Sequence, residues 1–296
     1  LNMIFAPHLL LVGLGVVWLT REFTMSTHAQ FIAAPAFILA APNFCQLASG
    51  HLSAVATMAW TGFAFAAVAA TARGRWRATL PVLPLVLALQ LLAGHARLFF
   101  SNTIGWPLYA LWLIIAAARS GNRHTALQLT GVSVTGMLLA LGLSAVQLLP
   151  MQELARQSTR QAASLAMCAA FSFPLENALT FLMPEFFGDT FHSLSWGRYL
   201  FWDMCGYCGI ITLLLAAMAL IPAGCRPDAR QHIRLFAAGI LIFTILALGS
   251  YTPLFALLYA HVPGFNFVRG NAKFIRRATN GPRSPPSSAR LSPRSS

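Results

Sequence analysis

The sequence predicts an all-α fold: a polytopic membrane bundle of about eight transmembrane helices with one extracytoplasmic loop region. The chain is 57% hydrophobic and only 9% charged, whereas an ordinary soluble domain carries roughly 25% charged residues. Apolar runs close to the ~20 residues that cross the hydrocarbon core of a bilayer recur along the chain. The strict alternation that β-barrel strands show over about ten residues is absent.

Eight apolar runs are candidate transmembrane helices. The second contains Pro35 and Pro42 and the fourth contains Pro81 and Pro84, which membrane helices tolerate where neighbouring helices satisfy the freed backbone groups. After the eighth run, the prolines and aromatics of SYTPLFALLYAHVPGFNFV predict a short interfacial or re-entrant helix rather than another span. The eight runs cover residues 3–20, 29–49, 52–72, 78–94, 98–118, 125–149, 204–223 and 235–250.

Loops rich in arginine predict the orientation of these helices. Such loops follow the first, third, fifth and seventh runs, so all four lie on one side if each run crosses once. The positive-inside rule makes that side cytoplasmic. The loops around His51 and His95 and the long acidic segment then face outward. The four loops contain Arg21; Arg73, Arg75 and Arg77; Arg119 and Arg123; and Arg226, Arg230 and Arg234.

Four regions follow from this pattern. Residues 1–149 form a six-helix membrane region, and residues 150–203 form an extracytoplasmic loop region with five of the seven acidic residues. Residues 204–275 contain two further transmembrane helices and the short interfacial or re-entrant helix. Residues 276–296 are a basic tail rich in Pro and Ser that is expected to be disordered. This tail is either a genuine arm for anionic lipid or polymer or the product of a frameshift.

The positive charge does not indicate nucleic-acid binding, because seven of the 20 Lys and Arg residues lie in residues 269–296 and most others lie in short loops. The five cysteines do not predict a disulfide framework, since their number is odd and most lie in or near apolar runs. Cys205 and Cys208 have the spacing of a redox pair. The strand that precedes such a pair in thioredoxin-like folds is absent, so we interpret them as structural or incidental thiols.

Polar residues at the outer edges of the apolar runs are candidate site residues. Two Gly-His pairs place His51 and His95 at such edges, where histidine can bind a phosphate or relay a proton. The alternative is an interfacial polar side chain beside a flexible glycine. No His-x-x-His, Glu-x-x-His or Asp-x-Asp spacing indicates a metal site, and no Gly-rich nucleotide loop or Ser-His-Asp pattern is present.

The extracytoplasmic region supplies a second set of candidates. Glu153, Arg156 and Arg160 follow a predicted membrane exit. Arginine can clamp a lipid-linked phosphate, and a carboxylate can act as a base on a hydroxyl group. Alternatively, Glu153 and Arg156 pair on one helix face, since they are three residues apart. The stretch PEFFGDTFH adds Glu185 and Asp189, for which an ordinary solvated loop is the alternative.

Several stretches of this sequence resemble a known family. They are ASGHLSA, LQLLAGHARL, LSAVQLLPMQELARQSTR, FLMPEFFG and LALGSYTPLFALLYAHVPGFNFVRGNAKF. Over residues 7–275, the chain resembles the bacterial YfhO-type membrane proteins, which are placed with the GT-C-type glycosyltransferases. In that family the second Gly-His is often followed by Pro-Gln. Here Ala96 and Arg97 follow it, which weakens the transfer of a family role to His95.

The resemblance implies a multi-pass protein of the bacterial inner membrane that transfers a sugar from a polyprenyl-phosphate donor to a cell-envelope acceptor outside the membrane. The catalytic acid of GT-C enzymes usually lies in the first extracytoplasmic loop, expected here upstream of Leu1. The chain, which does not begin with Met, is therefore expected to be an incomplete copy without activity in isolation. Arg156, Arg160 and Arg269 are expected to contact the donor phosphate. Glu153, Glu185 and Asp189 are expected to contact the acceptor or a divalent metal.

Two other functions are alternatives to glycosyl transfer. A transporter or flippase is disfavoured because the predicted spans contain few polar residues beyond Gln90, Gln128 and Gln147, whereas a transport route needs polar lining. A non-catalytic envelope assembly protein is the second alternative.

Overall fold

The computed structural model describes residues 2–157, 172–189, 194, 196–198, 200–221 and 227–261. The regular secondary structure in these ranges is helical, and no β-strand occurs in them. The predicted all-α fold is therefore confirmed for the described part of the chain.

The helices are numbered here along the chain, and the short 3₁₀ helices are named η1 and η2. The N-terminal part contains α1 (Asn2–Glu22), α2 (Thr27–Ile38), α3 (Ala41–Ala48), α4 (Leu52–Ala59), α5 (Thr61–Ala72), α6 (Trp76–Leu92), α7 (Ala96–Arg119), α8 (Arg123–Leu143) and α9 (Ala145–Gln157). The C-terminal part contains η1 (Leu175–Phe181), α10 (Phe201–Met204), α11 (Ile210–Ala219), α12 (Pro227–Leu248), η2 (Gly249–Tyr251) and α13 (Pro253–His261).

Helices α5 to α8 form the centre of the bundle, and small residues let them approach closely. Ala64, Ala67 and Leu87 are among its fully buried residues. A Cβ on Gly136 of α8 would lie only 2.9 Å from the Leu83 side chain of α6. Helix pairs in membranes gain stability from such close contacts because lipid chains are as apolar as the helices themselves.

The same kind of contact joins α1 to α5. A Cβ on Gly62 would lie 2.7 Å from the carbonyl carbon of Gly15, so the two backbones touch where neither residue has a side chain. A buried hydrogen bond joins α6 to the α4–α5 junction, since the Gln90 amide donates to the Thr57 carbonyl at 3.1 Å and to the Thr61 hydroxyl at 3.2 Å. The described contacts of Gln90 therefore hold helices together.

The arginine-rich loops meet at one end of the bundle. Glu22, at the end of α1, has a buried carboxylate that pairs with Arg73 and Arg75 in the loop between α5 and α6. The indole of Trp18 donates a 2.8 Å hydrogen bond to the same carboxylate. The start of α12 reaches this end too, because the ring of His232 lies 4.9 Å from that of Phe23, between centroids. Three of the four predicted cytoplasmic loops are thus in direct or adjacent contact.

Five helical segments in the described ranges are long and apolar enough to cross a membrane. A sixth is formed if α2 and α3, which meet at a 45° bend, are one broken span. The other two of the eight predicted segments correspond to the shorter apolar helices α6 and α11. The five segments are Met3–Glu22, Leu52–Ala72, Leu98–Arg119, Arg123–Leu143 and Arg230–Leu248.

Two predicted boundaries differ from the structure. The run 125–149 is not one helix: α8 ends at Leu143, and α9 begins at Ala145 after the buried Ser144, whose hydroxyl donates to the Ala88 carbonyl at 3.4 Å. In the described part of the run 204–223, α11 has ten residues, which cover roughly 15 Å against the ~30 Å of a hydrocarbon core. Gly209, directly before α11, has a φ of +92°, which favours glycine and keeps the preceding backbone out of the helix.

Long apolar side chains cover the outside of the bundle. Leu138 of α8 is 64% exposed, Ile211 of α11 is 74% exposed and Ile240 of α12 is 65% exposed. Soluble monomers rarely expose contiguous apolar surface on this scale. The apolar helices therefore indicate association with a lipid bilayer.

Candidate functional site

A segment formed by residues 172–189 and 200–209 closes the end of the bundle opposite the arginine-rich loops. The Phe173 amide donates a 2.8 Å hydrogen bond to the Ala247 carbonyl at the end of α12. The Ala41 amide, at the start of α3, donates a 2.8 Å hydrogen bond to the Tyr207 carbonyl. This closing segment is therefore attached both to α12 and to α3.

A charged cluster lies beside the first of these attachments. The Arg198 Nε lies 2.6 Å from the Glu176 Oε1, with both side chains partly exposed. Arg198 also hydrogen-bonds the Tyr251 hydroxyl, in η2. Burial, together with the nearby Glu176 carboxylate, raises the pKa of Tyr251, so its hydroxyl keeps its proton and remains a donor at neutral pH. The cluster combines a cation, an anion and a neutral donor at the bundle surface.

An apolar groove runs between α7 and α12 towards this cluster. Its volume is about 570 Å³, and it extends along α12 from Leu235 to Ala247, which is roughly 18 Å of helix. Gly105 and Gly239 both line it: the rings of Phe65 and Phe243 pack against Gly105, whereas the space beside Gly239 is open. At its upper end, Ala247 is the residue that accepts the hydrogen bond from the closing segment.

The opposite end of the groove opens into a polar cavity. This second cavity has a volume of about 690 Å³ and shares Leu235 and Ala238 with the groove. Trp112, Arg230 and Arg234 also line it. The groove is thus apolar along its length, and arginine side chains lie in the cavity that adjoins one end of it.

The two Gly-His pairs mark helix junctions. Gly50 and Gly94 have φ values of +73° and +85°, which favour glycine and end the preceding helices. The ring nitrogen Nδ1 of His95 accepts a 3.3 Å hydrogen bond from the Leu98 amide and so caps α7. His51 lies before α4, with its Nδ1 2.9 Å from Gln46 Oε1. These contacts give both histidines a structural role, and their role in substrate binding stays a prediction.

The predicted carboxylates occupy different environments. Glu153 is exposed on α9, Glu185 is exposed on the closing segment, and Asp189 is buried there at 4% exposure. No three His, Cys, Asp or Glu side chains of the described ranges gather as a metal site. Arg156 falls on α9, while Arg160 and Arg269 lie outside the described residues.

Sequence reasoning missed Glu176, Arg198 and Tyr251 as a group. Arg198 is a cation in a segment of mostly acidic charge, and that was the one available signal. Its partners lie far from it in the chain, so no spacing rule relates them. The groove was equally hidden, because its glycines, Gly105 and Gly239, are far apart in the chain.

No protein-family model, curated protein or solved structure matches this chain.

Proposed function

We propose that this chain is a multi-pass protein of the bacterial plasma membrane that binds a lipid-linked sugar and serves its transfer to a cell-envelope acceptor at the extracytoplasmic face. The proposal includes eight crossings, with α6 and α11 among them, and a GT-C-like arrangement. The observation that carries it is the apolar groove between α7 and α12, which ends beside the Glu176–Arg198–Tyr251 cluster.

The groove suits the hydrocarbon part of the donor. A polyprenyl chain lying against Phe236, Gly239 and Phe243 would exchange lipid contacts for protein contacts at little cost, since both are apolar. Its phosphate would emerge at the level of Ala247 and η2. There Arg198 supplies a planar guanidinium, which matches phosphate oxygens well, and Tyr251 supplies a neutral donor.

The pairing of Arg198 with Glu176 suits reversible binding. The Arg198 side chain is 48% exposed and the Glu176 side chain is 36% exposed. Exposed ion pairs of this kind contribute little to stability. An incoming phosphate can therefore replace the carboxylate at the guanidinium. Arg156, Arg160 and Arg269 remain proposed further contacts to the phosphate. Glu153, Glu185 and Asp189 remain proposed contacts to an acceptor or a divalent metal.

The test is an assay of the full chain reconstituted in vesicles with radiolabelled polyprenyl-phosphate hexose. Donor binding that depends on Arg198 supports the proposal, and sugar release or transfer would add catalysis to it; Arg123→Ala, on the arginine-rich side, is the matched control. Binding without turnover would restrict the proposal to donor recognition. Neither binding nor turnover would overturn it.

A lipid transporter is the second candidate function. It is favoured by one observation, the polar cavity with Arg230 and Arg234 at the other end of the same groove. A transport route needs polar lining, and this cavity supplies polar side chains beyond one end of the groove. Movement of labelled lipid between leaflets without chemical turnover distinguishes this function from glycosyl transfer. A non-catalytic assembly protein would show protein partners but no binding of lipid-linked sugar.

A further inference from the structure

We infer that Cys45 and Cys205 form a disulfide that fastens the closing segment to α3. This inference rests on the proposed orientation of the bundle, which puts both residues on the extracytoplasmic side. It is independent of any glycosyl transfer. Disulfides form and persist on that side of a membrane, whereas cytoplasmic thiols are kept reduced.

The two thiols are already in contact. They are hydrogen-bonded to each other through their side chains, and their residues are only 3% and 5% exposed. Both belong to one small hydrophobic cluster with Ala41, against which Phe201 and Tyr207 pack. Burial of two thiols against each other is the arrangement that precedes a disulfide bond.

The backbone around each thiol is held in place. On the α3 side, the Ala41 amide donates to the Tyr207 carbonyl. On the other side, the Thr180 hydroxyl donates to the Met204 carbonyl at 3.2 Å and accepts from the Gly206 amide at 3.0 Å. Hydrogen bonds therefore flank Cys205 in the chain. Both cysteines are thus held by flanking backbone hydrogen bonds within one buried cluster.

The oxidation balances by thiol–disulfide exchange with a protein disulfide of the extracytoplasmic compartment. One cysteine thiolate attacks that disulfide and forms a mixed disulfide, releasing a thiolate of the oxidant. The second cysteine thiolate then attacks the sulfur of the first and releases the other thiolate of the oxidant. The two cysteines lose two protons and two electrons, and the oxidant becomes a dithiol. Because both thiols are buried in the folded chain, the oxidant reaches the first cysteine before the closing segment has docked, and docking then brings the second thiol against it.

Cys208 is the competing partner, since it follows Cys205 by three residues. It is less buried than Cys45 and is not a member of the Cys45–Cys205 cluster. Cys168 and Cys225 lie outside the described residues. Geometry among the described cysteines thus favours the pair between α3 and the closing segment over the local pair.

The experiment is a disulfide map of the full chain in native membranes. Free thiols are blocked with N-ethylmaleimide under denaturing conditions without reductant, and the digested peptides are identified by mass spectrometry. We expect a peptide pair linked through Cys45 and Cys205 that disappears after reduction, with Cys208 alkylated. Alkylation of both Cys45 and Cys205 without reductant, or a link from either to Cys208, Cys168 or Cys225, overturns the inference.

Three variants, each with one cysteine replaced by serine, test which two cysteines form the disulfide. Cys45→Ser should leave Cys205 open to alkylation, and Cys205→Ser should do the same for Cys45, whereas Cys208→Ser should leave the link intact. Reporter fusions after Ser49 and Arg123 determine the orientation separately. If the disulfide is absent and the orientation is as proposed, only the disulfide inference is wrong. If the disulfide is absent and the orientation is reversed, both the disulfide inference and the proposed orientation are wrong.

Discussion

Arg198 Nε lies 2.6 Å from Glu176 Oε1, and Arg198 also contacts Tyr251, which follows the groove residue Ala247 by four positions. Because both groups are partly exposed, this pair adds little to the stability of the fold. Under the proposed function, its guanidinium binds the phosphate of a lipid that lies in the groove. Substitutions at this pair should alter lipid binding, whereas substitutions at the opposite, arginine-rich end of the bundle should alter stability.

Replacing Arg198 should weaken binding of polyprenyl phosphate. Arg198→Ala removes charge-assisted hydrogen bonds, and a loss of about tenfold or more in affinity is expected. Arg198→Lys keeps the charge but not the planar fork, so it should restore only part of the affinity. Binding is measured by native mass spectrometry, with thermal unfolding as the control for folding. Unchanged affinity in Arg198→Ala would remove this residue from the site.

Filling the groove should block the lipid chain without disturbing the helices. Gly239 lines the groove and has no atoms within 4 Å of an added Cβ, so Gly239→Phe enters open space. Gly142 on α8 is equally open but does not line the groove. We expect Gly239→Phe to lose binding of polyprenyl phosphate and Gly142→Phe to retain it. Equal effects of the two changes would show that the groove is not the binding site.

The Glu22 carboxylate should stabilise the arginine-rich end. It is buried, accepts hydrogen bonds from Trp18 and Arg75, and forms a 3.8 Å ion pair with Arg73, which donates to the Glu22 backbone carbonyl. Glu22→Gln should lower the free energy of unfolding by about 1–3 kcal/mol. The loss is limited because both arginines are half exposed and water screens their charges. The measurement is denaturant unfolding in detergent. Glu153→Gln, at an exposed position, is the control and should have little effect.

The contact between α1 and α5 should tolerate no side chain at Gly62. An added Cβ would lie 2.7 Å from the Gly15 backbone, so Gly62→Ala must push the helices apart. Gly131 of α8 has nothing within 4 Å of an added Cβ, and Gly131→Ala should be neutral or stabilising through helix propensity. Thermal unfolding of the two variants should therefore shift in opposite directions or differ by several degrees. A Gly62→Ala variant as stable as the parent would contradict this packing.

Much of the helical architecture was predictable because membrane crossing requires long apolar runs, and charge marks where they end. Interruptions inside the runs were not predictable. The end of α8 at Leu143 depends on the buried contact between Ser144 and Ala88, which joins residues far apart in the chain. The early end of α2 at Ile38 and the start of α3 at Ala41 leave a 45° bend that composition does not reveal.

The candidate site was less accessible to sequence reasoning than the fold. The Gly-His pairs were visible because they are local, and their positive-φ glycines explain the pattern as helix junctions. The contact between Glu176 and Arg198 and the approach of Cys45 to Cys205 are long-range. They exist only because the closing segment docks on α3 and α12, and no spacing in the sequence specifies where that docking occurs.

Photo-crosslinking of the reconstituted full chain with a polyprenyl phosphate that carries a photoreactive group in its chain tests the central claim most directly. We expect crosslinked peptides from α7 and α12, reduced by excess unlabelled polyprenyl phosphate and lost in Gly239→Phe but not in Gly142→Phe. Crosslinks confined to other helices, or unaffected by competitor and by Gly239→Phe, would contradict the proposal that this groove holds a lipid-linked substrate.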